Sequence, residues 1–366
     1  MVILRKASRD EDSPLRVPMS ARTTILNRSN AAVALLLAAI LVGTAAVLAG
    51  AGFDIDRALF ALVSGALGSW YAVGSGTLVR ATPLILTGLA VAIAFRAGVL
   101  NIGAEGQFLI GAAAGTAIAL GVHAPSSVLI LLVLVGASIA GAAWAGIAAI
   151  LRSRFHVLEV ISTILLNFLA ANLLSYLVRG PMQEPTKVYP QTLTIPVAAQ
   201  LPRIGASTRL HLGFLIAIGA CLAAWWTIRF TAAGFRLRAV GANPDAARSA
   251  GLIDVERVTM RAFLASGALA GLAGAIEVCG VTYALYENIS PGYGYTAIAV
   301  ALLARLNAAA VIATGIVFGA LEAGGASMQR DAGVPSVVVS VVEAGIILAL
   351  VVFQRIRVTG AGAVSR

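Results

Sequence analysis

Long apolar runs alternate with short polar segments along most of the chain. A membrane-spanning helix needs about twenty predominantly apolar residues. One run, at 57–75, is ambiguous: it contains Gly65, Gly68, Trp70 and Tyr71, and it either crosses the membrane or lies at its interface. The pattern predicts an all-α integral membrane protein with about ten transmembrane helices. Their approximate edges are 31–53, 77–96, 105–121, 126–151, 157–178, 211–229, 260–280, 293–306, 308–327 and 335–354.

The composition supports a membrane protein. The 366 residues are 59% hydrophobic and 11% charged, whereas soluble domains carry about 25% charged residues. A net charge of +10 would indicate nucleic-acid binding in a soluble protein, but cytoplasmic loops of membrane proteins collect Lys and Arg, so we expect no nucleic-acid partner. Cys221 and Cys279 lie in apolar runs and are expected to be buried thiols. No metal or cofactor is predicted.

The distribution of basic residues predicts the orientation of the chain. With the amino terminus inside and ten alternating spans, 19 of the 26 Lys and Arg residues fall inside and 7 outside. Both termini are therefore predicted to be cytoplasmic, as tails at 1–30 and 355–366 that flank a transmembrane domain at 31–354. The loop at 230–259 lies inside, and the proline-rich loop at 179–210 lies outside, where it is either a linker or a stiffened docking surface.

The cytoplasmic loop contains LRAVGANPDAARSAG (Leu237–Gly251), which has the signals of a short capped helix. Asn243 is a favoured cap, Pro244 fits the first helical position, and Asp245 suits the positive end of the helix dipole. Gly251 is a favoured residue just beyond a helix end. We expect a helix of about two turns, presented to the cytoplasm for a separate motor to move.

A second polar feature lies in AFRAGVLNIGAEGQFLIG (Ala94–Gly111). Asn101, Glu105 and Gln107 occur there among glycines, at membrane depth or its edge. Glycine-interrupted spans with polar residues are typical of a transport path, and intramembrane carboxylates are usually functional. The alternative is a cytoplasmic turn in which Glu105 caps a helix or pairs with Arg96.

Other polar and small residues in the apolar runs have open or simpler interpretations. Asn167 bonds either a polar solute or a neighbouring helix, and Glu159 is expected to pair with Arg152 or Arg154. The small residues of SGALAGLAGA (Ser266–Ala275) predict close helix packing. Three further carboxylates leave an ion-coupled secondary transporter as an alternative, although their spacing assembles no relay; they are Glu277, Glu322 and Glu343.

Lys6 and Lys187 are the chain's lysines, and neither follows the glycines of a phosphate-binding loop. The sequence also contains neither H-E-x-x-H nor G-x-S-x-G. We therefore expect a transport subunit with no catalytic residues, and ATP-driven transport would need a separate ATPase. A membrane scaffold or receptor subunit is a third possibility.

Several blocks, in order from about Pro83 to Glu343, together resemble a known family. They are similar to permease subunits of type II ATP-binding-cassette (ABC) importers, in the ribose and branched-chain amino acid permease superfamily and its nucleoside and simple-sugar branch. The blocks are RAGVLNIGAEGQFLIGA, FHVLEVISTILLN (Phe155–Asn167), LRAVGANPDAARSAGL, SGALAGLAGAIEVCG and GYGYTAIAVALLARLN (Gly292–Asn307).

The resemblance implies a multi-pass permease of a bacterial cell membrane that passes a nucleoside or simple sugar inward. The implied partners are cytoplasmic ABC ATPase subunits, a second permease subunit that is identical or different, and an external solute-binding lipoprotein, besides the membrane lipid. It implies a path lined by the segment around Asn101–Gln107 and by the starts of the seventh and eighth helices. We expect the path residues to be Asn101, Glu105, Gln107, Asn167 and Glu277. The implied coupling residues are Arg238, Gly241, Asn243, Pro244, Ala246, Ala247, Arg248 and Gly251.

Overall fold

The computed structural model describes residues 42–345, apart from 206, 252, 336, 339 and 343. The predicted tails, Glu343 and parts of the first and last predicted spans lie outside the described residues. Within them the chain is helical, and no strand forms beyond isolated bridges. The helices are α1 (Ile55–Leu67), α2 (Leu78–Arg96), α3 (Ala104–Gly121), α4 (Ser126–Phe155), α5 (Glu159–Arg179), α6 (Gly213–Phe230), α7 (Ala232–Ala242), α8 (Pro244–Ser249), α9 (Val255–Glu277), α10 (Tyr293–Leu303) and α11 (Ala310–Ala332).

In this part of the chain, six helices are long and apolar enough to cross a membrane. They include α4, α5, α6 and α11, and also α2 and α9 together with the π-helical turns Ala72–Thr77 and Val278–Thr282 that extend them. Helix α10 has 11 residues, about 16 Å of helix, and ends before the predicted boundary at 306. Arg305 and Leu306 end it with positive φ angles. Helix α10 is thus about half as long as the membrane-spanning helices.

The ambiguous run at 57–75 does not form a single helix. Helix α1 ends at Leu67, and a π-helical turn begins at Ala72 and leads into α2. Helix α1 packs on α11, where Gly65 approaches Ser327 and Gly324 approaches the backbone of Leu62. These small residues bring the two helices close together.

Helix α9 lies at the centre of the bundle because its glycines allow close backbone approach. Gly267 and Gly271 pack against Gly141 of α4, and a Cβ at either glycine would overlap backbone atoms of that helix. Gly274 likewise meets the Phe108 carbonyl of α3. Lipid offers no hydrophobic driving force between helices, so such van der Waals contact is what stabilises the crossing. The predicted packing role of SGALAGLAGA is confirmed.

The segment between α5 and α6 folds back onto the end of α9 instead of extending from the bundle. Thr192, Ile195 and Leu201 donate backbone hydrogen bonds of 2.8 Å to the Leu285, Tyr283 and Cys279 carbonyls, respectively. Ile195 and Leu201 are buried by this pairing. The same segment also exposes apolar side chains; they include Val188, Tyr189, Leu193 and Val197.

Candidate functional site

Asn101 and Gln107 form a buried amide pair near the start of α3. The Asn101 amide nitrogen donates to the Gln107 carbonyl oxygen at 3.1 Å and to Ser266 of α9 at 2.9 Å, and Gln107 donates back to Asn101 at 3.1 Å. The Asn101 carbonyl oxygen also accepts the Gly103 N–H. These side chains satisfy one another, so they fix the turn before α3 to α9.

Glu105 connects the first turn of α3 to the start of α10. Its carboxylate accepts the Gly294 N–H at 2.7 Å, and the Ser290 side chain hydrogen-bonds the same carboxylate. The first N–H groups of a helix lack intrahelical partners and carry partial positive charge, so a carboxylate is well placed there. Glu105 therefore caps a helix, namely α10. The ion pairs among the described residues do not include one between Glu105 and Arg96.

Asn167 of α5 bonds to neighbouring segments rather than to its own helix. Its carbonyl oxygen accepts the Gly106 N–H at 2.8 Å, and its amide nitrogen donates to the Ile102 carbonyl at 2.9 Å and to the Tyr295 hydroxyl at 3.4 Å. A Cβ at Gly106 would press on Asn167. Asn167 therefore positions α5 against the turn that carries Asn101.

These elements enclose a cleft of about 380 Å³ between α3, α5 and the start of α10. The volume falls in the range of small-molecule sites. Its polar walls include Glu105, Asn167, Ser290 and Tyr295, and its apolar walls include Phe168. Asn101 and Gln107 support the cleft from behind without lining it. The arrangement offers hydrogen-bond donors and acceptors beside an aromatic ring, which suits a polar ring-shaped solute.

An ion pair closes one rim of the cleft. Arg179 donates to both carboxylate oxygens of Glu287, at 2.6 and 2.7 Å, and the Ser175 hydroxyl donates to the same group. These hydrogen bonds, from Arg179 first and Ser175 second, lower the pKa of Glu287 to about 2. The rim therefore carries an ionised carboxylate at neutral pH, tied to the last turn of α5.

Glu277 lies apart from this cleft. It is buried at the end of α9, under the electrostatic influence of Arg80 and Arg209, and it does not line the cleft. Nearby, the ring of His211 packs against Gly213 and Gly280, and neither ring nitrogen has a hydrogen-bond partner. Burial first, and Arg209 second, lower the pKa of His211 to about 4. The structure thus brings together Asn101, Glu105, Gln107 and Asn167 but leaves Glu277 elsewhere.

The predicted short helix forms at Pro244–Ser249, as α8. The Asn243 side chain accepts the N–H groups of Asp245 and Ala246 at 3.0 Å, and Gly251 ends the segment with φ +70°. Arg248 is exposed and pairs with Asp245 at 3.0 Å. The cap and the stop are confirmed, whereas the helix, at 6 residues, is slightly shorter than two turns.

The residues around α8 divide into an exposed face and an inward face. Ala246 and Arg248 are exposed, whereas Ala247 is buried within the chain at 5% exposure. Arg238 of α7 turns inward and donates to the Ile228 carbonyl at the end of α6. Arg248 also borders a cavity of about 340 Å³ between the ends of α4, α5 and α9, next to the Arg152–Glu159 ion pair of 3.3 Å, which confirms the predicted pairing of Glu159.

Gly241 joins the segment that carries α8 to the bundle. A Cβ at this position would overlap the Arg96 carbonyl oxygen at the end of α2. Ala97 and Gly98 follow directly and lead into the turn that contains Asn101. One short stretch of backbone therefore lies between the contact with α7 and the amide pair behind the cleft.

Sequence reasoning missed part of the cleft. The polar residues of the cleft that the sequence analysis does not predict are Ser290, Tyr295, Ser175 and Glu287. The signal was present at SPGYGY (290–295), where a serine precedes a proline, a glycine and a short helix. Ser290 indeed accepts the N–H groups of Gly292 and Tyr293 at the start of α10.

Comparison with known proteins places the chain among transport permeases. Residues 73–352 match the family described as branched-chain amino acid transport system / permease component. The glucose ABC transporter permease protein TsgB13 of Haloferax volcanii is 43% identical over 294 residues, which cover 77% of each chain. The guanosine ABC transporter permease protein NupP of Bacillus subtilis is 39% identical over 319 residues, covering 85% of this chain and 91% of that one. The nucleoside ABC transporter permease protein NupB of Lactococcus lactis is 32% identical over 297 residues, covering 78% and 81%.

Proposed function

This chain belongs to the branched-chain amino acid transport system permease family and is a membrane-embedded ABC transporter permease subunit, and on that basis we propose that it imports a nucleoside or simple sugar through the cleft beside Glu105 and Asn167. The observation that carries the proposal is a small-molecule-sized cleft with polar and apolar walls between the membrane-spanning helix α5, α3 and the short apolar helix α10. The relatives' names supply the substrate class.

The substrate class suits the chemistry of the cleft. Asn167 and Tyr295 present an amide and a hydroxyl, Glu105 presents a carboxylate, and Phe168 presents an aromatic face. Sugar hydroxyls and nucleobase edges use such donors and acceptors, and a planar base stacks on an aromatic ring. The relatives named for guanosine, nucleosides and glucose carry solutes of this kind.

We place the chain in the membrane with about ten helices, both termini inside, and α8 on the cytoplasmic side. The support is the excess of Lys and Arg on that side of the predicted topology. On this placement, Arg96, Arg152 and Arg229 end their helices on the cytoplasmic side. The segment at 191–201 then lies outside.

The second permease subunit faces the open side of the cleft. Asn172 and Tyr295 are exposed on the face of α5 and α10 that also carries Phe168. Lipid cannot satisfy such polar groups, so a protein partner or a water-filled path is the better neighbour for them. A transport path between two permease subunits meets this requirement.

The ATPase subunits act on α8. Its exposed Ala246 and Arg248, together with the cavity bordered by Arg152, form the docking surface. The buried side chain of Ala247 packs α8 against the rest of the chain. Movement of this segment reaches the cleft through Gly241, the end of α2 and the turn carrying Asn101, a rigid-body shift of packed elements.

An external solute-binding protein delivers the solute. The segment between α5 and α6 is anchored to α9 by backbone hydrogen bonds yet exposes Val188, Tyr189 and Val197. Clustered exposed apolar side chains on an ordered segment are typical of a protein contact. The ion-coupled alternative has less support, because all three relatives are named ABC permeases.

Blocking the cleft tests the proposal. Ala171 lines the cleft, whereas Ala223 is exposed on α6 outside it. We expect Ala171→Trp to reduce ATP-dependent uptake of labelled guanosine or glucose more than tenfold in vesicles that contain the full transporter. Ala223→Trp should leave uptake near wild type. Equal uptake by the two variants, at equal membrane insertion, would contradict this cleft as the path.

A further inference from the structure

A basic cavity lies at the end of α6, separate from the transport cleft. Its volume is about 450 Å³. Arg96 from the end of α2, Arg229 from the end of α6 and Arg238 from α7 line it, together with Trp225 and Phe230. No carboxylate among the described residues lines this cavity. Three guanidinium groups therefore share one space that supplies no counter-charge.

Contacts with the protein hold the three arginines in place. Arg96 donates to the Leu306 carbonyl at 2.8 Å, and Arg238 donates to the Ile228 carbonyl. The Arg229 guanidinium lies 5.8 Å from the centre of the Phe230 ring, within the range of a cation–π contact. Arg96 and Arg238 are close enough to repel each other. A bound anion would relieve this repulsion.

The walls of the cavity indicate what kind of anion it holds. Trp225 and Phe230 pack edge to face at 5.6 Å and are both exposed. Exposed aromatic rings at the end of a membrane helix lie at headgroup depth. A groove of about 260 Å³ between α6, α7 and α9, mainly apolar but also lined by Arg236 and Arg261, contacts Ile228, which lines the basic cavity as well. Together the two spaces offer positive charge at headgroup depth and an apolar surface beside it.

We propose that this cavity binds the phosphodiester headgroup of an anionic phospholipid, with an acyl chain along the apolar surface of α6. Basic pockets between transmembrane helices on the cytoplasmic side are suited to such headgroups, and arginine matches phosphate geometry. Arg96 and Arg238 flank the contact that Gly241 makes with α2. Bound lipid therefore steadies the joint between α8 and the bundle.

Lipid binding to the full chain, purified in detergent, tests the proposal without requiring transport. Fluorescent phosphatidylglycerol should bind saturably and more tightly than phosphatidylcholine. Arg229→Gln should weaken phosphatidylglycerol binding about fivefold, the effect of one interfacial cation. The matched control is Arg154→Gln, which removes an exposed arginine near the end of α4, outside the cavity, and should bind like wild type. Equal binding of the two lipids, or equal losses in the two variants, would overturn the site.

Further experiments distinguish a bound lipid from a free anion and from a protein contact. Inorganic phosphate in large excess should not displace the lipid; complete displacement would make the cavity a free-anion site and overturn the lipid assignment. Trp225→Ala, which removes aromatic wall but no charge, should also weaken binding. If Arg229→Gln instead leaves lipid binding intact and releases a co-expressed ATPase subunit, the cavity is a protein contact and the proposal is wrong.

Discussion

The polar cleft and the segment around α8 are stabilised in opposite ways. In the cleft, Glu105 bonds a residue 189 positions away, and behind the cleft Asn101 bonds one 165 positions away. In the segment around α8, Asn243 and Arg248 bond residues two or three positions away. The cleft is thus assembled by helices that are distant in sequence, whereas α8 is shaped by its own sequence.

This difference matches the role proposed for each region. A path through the membrane must satisfy its polar groups inside the protein, because lipid cannot. A docking helix must keep its shape while it stays exposed to a partner, and local caps provide that. The two regions meet at Gly241. Each region can therefore be altered separately, and the joint at Gly241 can be altered alone.

The largest effect should follow from altering the joint. Gly241→Val places side-chain atoms where the Arg96 carbonyl lies, so α7 must move away from α2. We expect ATP-dependent uptake to fall more than tenfold in reconstituted vesicles. Gly219→Val is the control, since no neighbouring atom lies within 4 Å of a Cβ at Gly219. If both variants take up solute at wild-type rates, the two regions are not coupled through Gly241.

A smaller effect should follow from removing the long-range hydrogen bonds that Asn167 makes at the cleft. Asn167→Leu leaves the Gly106 N–H and the Ile102 carbonyl without their partner, which costs about 2–4 kcal/mol for two buried groups. Asn172→Leu on the same helix loses a bond to its own turn alone and should be nearly neutral. Thermal unfolding in detergent measures both. A similar melting temperature for the two variants would mean that Asn167 does not organise the cleft.

The smallest effect should come from the cap of α8. Asn243→Ala removes two hydrogen bonds to backbone N–H groups and should destabilise this helix by about 1 kcal/mol. Because the cap is local, amide exchange at 245–249 should accelerate while exchange in α9 stays unchanged. Faster exchange in α9 as well would show that α8 is not independent of the bundle.

The same contrast explains what could be predicted from the sequence. Asn243, Pro244 and Gly251 form a local signal, and Arg152 lies close enough to Glu159 in sequence for that pair to be expected; both predictions are confirmed. The partners of Glu105 and Asn167 depend on how distant helices pack, and no spacing in the sequence encodes that. The length of α10 was overestimated because an apolar run gives no sign of the left-handed backbone at Arg305.

Two matched ion pairs give the most direct test of coupling through α8. Arg248–Asp245 on α8 and Arg257–Asp254 at the start of α9 are both exposed, both three residues apart and both 3.0 Å long. Substrate-stimulated ATP hydrolysis should be measured for the full transporter that contains Arg248→Glu or Arg257→Glu. We expect loss of stimulation in the Arg248 variant and retention in the Arg257 variant. Full stimulation in the Arg248 variant, with the ATPase subunits bound as in wild type, would contradict it.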